Sequence, residues 1–265
     1  MMIDVLGIPS RYERYGTSGE EILLMHGWGV TLDACLAPLA KALQADYHLT
    51  ALEFPAHGAS GRPTQTWGVP EFASWVKAMM EVLQLGPQTV IAHSFGGRVA
   101  IWLAAQEPAL IRRLVLTGAA GLMPQKTAAQ EADGRRYQRQ KQRLELLKAL
   151  PLLGHLAQVA QQRLRDKRSS PDYKALDEGM KKTFVRIITQ DLRPMLHLVQ
   201  QPTLLIWGNQ DKETPLWMGK VMADEIKDAA LITFEGRGHF AYLEELSRFA
   251  RIVQAFITED SKRSV

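Results

Sequence analysis

Residues 89–98 read TVIAHSFGGR. The first five are apolar or β-branched and suit a buried strand, whereas SFGGRVAIWLAAQ (residues 94–106) spaces its apolar side chains as a helix does. Strand therefore meets helix at Ser94. A serine on so sharp a turn is held at strained dihedrals, and its neighbours two positions away must be small. Ala92 and Gly96 are both small, with Ala92 standing where the usual pattern has its first glycine. Ser94 as a mere helix N-cap is the plainer alternative, and the strand before it and helix after it favour a nucleophile.

Reading outward, the same alternation continues on both sides. Upstream, ILLM (22–25) is a strand that stops at HGWG (26–29); a helix follows over 31–44, a strand over 47–54, a turn cluster PAHGASGRP (55–63) and a helix over 69–85. Downstream, RRLVLTG (112–118), TLLIWG (203–208) and ALITFEG (230–236) are strands, a helix lies near 216–226, and a terminal helix runs to about residue 257 before a frayed tail, TEDSKRSV. Strands alternating with helices imply a mostly parallel central sheet flanked by helices, an α/β class, joined by right-handed crossovers. Between 121 and 200 the alternation stops and the text turns helical and charged. This predicts an inserted helical lid, residues 121–200, within a core domain made of 1–120 and 201–265.

The whole chain, 265 residues with 46% hydrophobic and 23% charged side chains, has an ordinary globular composition and is long enough for one such domain. No stretch approaches the roughly 20 apolar residues of a membrane span, and the N-terminus lacks a secretory pattern, so the expected location is the cytoplasm. The lone cysteine, Cys35, has no disulfide partner and falls on the apolar face shared by Leu32, Leu36, Leu39 and Leu43. The net charge of +4 is unevenly spread: from Arg135 to Arg168 ten lysines and arginines face Glu145 and Asp166 alone. That run lacks the interleaved aromatics of a nucleic-acid site, and a solvated helical face accounts for it. Nothing in the text signals an oligomeric state.

A serine hydroxyl is a weak nucleophile and needs a base, a group that orients the base, and donors for the developing oxyanion. The base is expected late, after the last strand, and His239 in GRGHF (236–240) stands there. His26 and His93 lie beside reacting positions, where a ring braces a turn; His48, His57, His155 and His197 have no triad context and read as surface or supporting groups. The acid is expected after the strand TLLIW, and WGNQDKETP (207–215) supplies Asp211, with Glu213 its nearest rival. The oxyanion donors are expected to be the backbone N–H of Phe95, following the nucleophile, and that of Trp28 in HGWG. The Trp28 indole is read equally as a pocket wall or as packing. This chemistry requires no metal and no cofactor. A dinucleotide site is disfavoured, since no GxGxxG follows an early strand.

HGWG, FPAHGASG, AHSFGG, WGNQD and GRGHF resemble, in order and spacing, the α/β-hydrolase fold superfamily over nearly the whole chain outside the lid. The resemblance implies the nucleophile at Ser94, the acid at Asp211, the base at His239, the oxyanion loop at Trp28, and a lid after the sixth strand. HGWG is also similar to the oxyanion loop of the pimeloyl-ester carboxylesterases of biotin synthesis. SFGGR is similar to the SMGGR of menaquinone-pathway hydrolase-like lyases. The segment SSPDYKALDEGMKKTFVRIITQDLRPML resembles bacterial α/β-hydrolases generally described without a defined substrate. A serine nucleophile sets the chain apart from the haloalkane dehalogenase and epoxide hydrolase branches, which use an aspartate there.

The expected activity is hydrolysis of a small-molecule carboxylic ester through an acyl-enzyme. The same triad supports amide, thioester or carbon–carbon cleavage, because fold and triad do not fix the leaving group. A ligand-binding protein that keeps the fold with little turnover is the reading from another class.

Overall fold

The computed structural model describes residues 1–124, 128–148, 153–166, 173–174 and 176–263. Among them, eight strands form one sheet: β1 (Met2–Val5), β2 (Ile8–Tyr15), β3 (Glu21–Met25), β4 (His48–Leu52), β5 (Gln88–His93), β6 (Ile111–Thr117), β7 (Thr203–Gly208) and β8 (Ala229–Phe234). Their spatial order is β1-β2-β4-β3-β5-β6-β7-β8, antiparallel at β1/β2 and β2/β4 and parallel from β4 onward. The helices that follow the early strands are α1 (Leu32–Leu43), α2 (Val69–Val82) and α3 (Phe95–Gln106). Thr31 caps α1, its side chain accepting the Ala34 N–H, and the Glu71 carboxylate closes the first turn of α2 by accepting the Gly68 N–H at 2.7 Å.

The central strands read as continuous apolar runs because both faces of the sheet are covered. Leu23, Met25, Val90, Ala92, Leu114, Leu116, Leu205 and Trp207 point into one core with α2 and α3. The alternate residues Ile22, Leu24, Leu49, Ala51, Ile91, Val115, Leu204 and Ile206 point into the other, with α1. Each Leu, Ile, Val or Met among them, fully buried, contributes about 1.5–3 kcal/mol of transfer free energy.

Chain direction across the sheet reverses at β3. From β3 the chain crosses α1 to reach β4 on one side, whereas β5 lies on its other side and leads away through α3 to β6. The carboxyl ends of β3 and β5 therefore border the crevice where parallel α/β sheets bind ligands.

Between β6 and β7 lie α4 (Ala128–Lys148), α5 (Gly154–Asp166), α6 (Glu178–Ile188) and the short α7 (Arg193–Leu196). Two compact units result: Met1–Leu122 with Val185–Val265, and Met123–Phe184. Residues 185–200, within the span read as lid, thus cluster with the sheet-bearing unit. In the smaller unit α4 and α5 are tied through Glu145, which accepts from Lys148 at 3.2 Å and from Gln161 at 2.7 Å. Of its basic run, Lys167 and Arg168 lie outside the described residues.

After β7 come α8 (Trp217–Glu225), α9 (Ala241–Glu244) and α10 (Leu246–Arg263). The terminal helix therefore runs past residue 257, to Arg263, where fraying was expected; TEDSKR contains no glycine or proline to stop it. Ser264 and Val265 lie outside the described residues.

Candidate active site

Ser94 joins β5 to α3 at φ 51°, ψ −111°, a positive φ that a residue with a Cβ rarely adopts. Its surroundings enforce the turn. The Ser94 N–H donates to Thr117 O at 3.2 Å, and Ser94 O accepts from Arg98 N–H at 3.2 Å and Ala120 N–H at 2.9 Å. Gly96 donates to His26 O at 3.0 Å, and a Cβ there would stand 2.7 Å from the carbonyl oxygens of both Met25 and His26. The small residue expected at 96 is thus required by the backbone of the HGWG loop. Ala92 is fully buried in β5, in register with Met25 on one side and Leu116 on the other, and its methyl is accommodated.

Asp211 and His239 come from the loops after β7 and β8, with His239 Nδ1 2.8 Å from Asp211 Oδ2. Oδ1 of the same carboxylate accepts the N–H groups of Glu213 and Thr214, each at 2.9 Å. The Thr214 hydroxyl lies 2.8 Å from Oδ2 and 2.9 Å from Gly118 O. Burial works against the Asp211 charge, yet the bonds from His239 and Thr214 outweigh it and hold the carboxyl below its ordinary pKa. Glu213, the rival acid, is exposed and contributes its backbone N–H to Asp211 instead. Gly118, two residues before Ala120, packs against the pair: a Cβ on it would lie 3.2 Å from Asp211 Oδ2 and 3.3 Å from His239 Nδ1.

The HGWG loop is fixed by two histidines. His26 donates from Nδ1 to Gly27 O at 2.6 Å and accepts the Phe54 N–H on Nε2 at 2.9 Å. His57 accepts the Gly29 N–H on Nε2 at 3.1 Å and donates from Nδ1 to Pro55 O. Both rings are therefore neutral donors and acceptors at once, and burial pushes His26 down to about 3 and His57 downward as well. The Trp28 indole packs edge-on against the rings of His57 at 4.8 Å and Phe95 at 5.3 Å. Phe95 is the first residue of α3, so its N–H is one of the first-turn donors with no acceptor inside the helix.

Sequence reasoning missed two contributors, Thr214 and Arg98, and left His57 between a surface and a supporting group. Thr214 carried a signal, since an Asp whose own side chain accepts N–H groups two and three residues on is a common turn device. Arg98 carried none. Arg98 is 5% exposed, and its guanidinium donates to Ile187 O at 2.8 Å and to Gln190 O, at the end of α6. The arginine of SFGGR is thereby committed to main-chain carbonyls. Burial lowers its pKa to about 10, so it stays charged.

Among the described residues no helix is long and apolar enough to cross a membrane.

A family model described as the alpha/beta hydrolase fold matches residues 21–246. A pimeloyl-[acyl-carrier protein] methyl ester esterase of Neisseria meningitidis serogroup C is 25% identical over 90% of this chain and 93% of its own length. Among solved structures, an esterase from Exiguobacterium antarcticum superposes with a TM-score of 0.73 at 21% identity, covering 97% of this chain and 98% of that one. A meta-cleavage product hydrolase from Pseudomonas fluorescens gives a TM-score of 0.73 at 22% identity, covering 98% of both.

Proposed function

The chain belongs to the alpha/beta hydrolase fold family, and from that premise we propose that it is a serine hydrolase whose preferred bond is a carboxylic ester. The observation that carries the reading is the His239–Asp211 pair, 2.8 Å apart on the loops after β7 and β8, in a chain whose strand-to-helix turn holds Ser94 at φ 51°. In the proposed cycle Ser94 Oγ attacks the acyl carbon while His239 takes its proton. Asp211 holds the imidazolium, and the N–H groups of Phe95 and Trp28 bind the oxyanion. His239 then protonates the leaving alcohol, and water releases the acyl group by the same steps in reverse.

The ester preference draws on the meningococcal relative, which is named for a methyl ester. The helical unit Met123–Phe184 is read as a lid, because it is inserted in the chain between β6 and β7 and forms a compact helical unit of its own. A panel of p-nitrophenyl esters, acyl thioesters, anilides and dienone acids tests the preference. Turnover highest on esters supports it, and turnover highest on another class replaces it with that class.

A further inference from the structure

Three buried histidines surround the proposed site without belonging to the pair. His26 and His57 use both ring nitrogens. His93, the residue before Ser94, uses one. Its Nε2 lies 3.0 Å from the carbonyl oxygen of His239, which only accepts, so Nε2 carries the proton. Burial keeps the ring neutral, and Nδ1 is a bare lone pair, buried and without a hydrogen-bond partner.

A ring needed only to fill space would not carry that unpaired nitrogen, because a buried polar atom without a partner is costly. What the histidine supplies is a donor on the main chain of the base. The ring also packs 4.6 Å from the ring of His239, 4.9 Å from Phe240 and 5.0 Å from Tyr242. On its other edge it meets the oxyanion loop: a Cβ on Gly27 would lie 2.9 Å from His93 Nδ1 and 3.2 Å from the Ser94 Cβ. His93 is therefore wedged between the loop that bears the base and the loop that bears Trp28.

We propose that His93 is a positioning residue whose Nε2–H, donated to the His239 carbonyl, sets where the base stands relative to Ser94. The inference rests on the serine-hydrolase reading. The bond grips the backbone of His239 and leaves its ring free, with Nδ1 on Asp211 and Nε2 open to exchange a proton. A neutral donor suits this place, since a lysine or arginine would set a like charge beside the imidazolium formed in the reaction.

Three substitutions test this in the full chain. His93→Gln keeps an amide nitrogen at about the reach of Nε2, His93→Asn is too short to reach the carbonyl, and His93→Leu removes the donor. On a p-nitrophenyl ester, with rates normalised to the folded fraction, Asn and Leu are expected to lose about 10- to 100-fold in kcat at unchanged KM, the cost of a base displaced by a fraction of an ångström to an ångström. Fluorophosphonate labelling of Ser94 slows by the same factor, and Gln restores most of both. The low-field proton resonance of His239 Nδ1–H bonded to Asp211 persists in Gln and is lost or shifted in Asn and Leu.

Folded Asn and Leu variants with wild-type kcat and an unshifted resonance overturn the proposal, as does a Gln variant as slow as Leu. If Leu fails to fold, the Gln–Asn pair decides. A wild-type protein that neither turns over nor labels sinks the serine-hydrolase reading, whereas the resonance still judges His93 without any turnover.

Discussion

The carboxylate of Asp211 accepts the imidazole of His239 on Oδ2 at 2.8 Å, while its Oδ1 is filled by two backbone N–H groups of its own loop. The carboxylate is thus oriented independently of His239, by bonds from residues 213 and 214, next to it in the chain. In the proposed cycle a carboxylate so held accepts the Nδ1–H of His239 and leaves Nε2 for Ser94.

Asp211→Asn tests that arrangement. The amide matches the shape of the carboxylate but lacks its charge and can present N–H to His239 Nδ1, favouring the wrong tautomer. A loss of about four orders of magnitude in kcat is expected, with little change in KM. A loss under tenfold shows that Asp211 does not orient the base.

The φ of 51° at Ser94 predicts opposed effects on activity and stability. Ser94→Gly and Ser94→Ala both abolish turnover, but only glycine relaxes the backbone. Strain relief of about 1–3 kcal/mol, less about 0.5–1 kcal/mol for the entropy of glycine, leaves Ser94→Gly more stable than Ser94→Ala in urea unfolding. Equal stabilities show that the turn is unstrained.

His26 and His93 predict sensitivity to acid. Burial lowers both from 6.5 to about 3, so in that window the unfolded chain binds protons that the folded protein refuses. Their contribution is complete above pH 6.5 and falls away as the pH drops toward 3, by about 1.4 kcal/mol per unit for each ring. Asp211, with its pKa lowered, acts further down: its stabilisation is present above the ordinary carboxylate value and lost as the pH falls through the depressed one. Urea unfolding between pH 7.5 and 5 is expected to steepen below pH 6. A flat profile there contradicts neutral buried rings.

Arg98→Met removes the guanidinium from the carbonyls of Ile187 and Gln190; Ile187 O keeps the Gln190 N–H at 3.3 Å, whereas Gln190 O loses the Arg98 donor. A loss of about 1–3 kcal/mol in stability is expected, from the part-buried Gln190 acceptor that loses this donor. Because the guanidinium is committed to main chain, the ratio of kcat/KM on acidic and neutral esters is unchanged. A ratio that falls shows Arg98 reaching the substrate.

The sheet was legible because its central strands are buried on both faces and read as apolar runs, as at 22–25, 89–93 and 203–208. The turn at Ser94 was legible because a continuous apolar, β-branched run gives way there to apolar side chains at helical spacing. The hairpin of β1 and β2 was only faintly marked, since a half-exposed edge alternates weakly. Order in the chain led to Asp211 and His239, which the fold then brings to 2.8 Å. The grip of His93 on residue 239 spans 146 positions and depends on two loops meeting. No local pattern encodes such an approach. The same holds for Arg98, whose partners are main-chain atoms and leave no trace in side-chain identity.

The most direct test of the account is the site of a fluorophosphonate adduct, located by mass spectrometry after digestion of the folded, full-length protein. One adduct per chain on Ser94 is predicted, absent from Ser94→Ala and formed far more slowly in His239→Ala. A folded protein that forms no adduct, or forms it on another serine at an unchanged rate in Ser94→Ala, contradicts the assignment of Ser94 as the nucleophile.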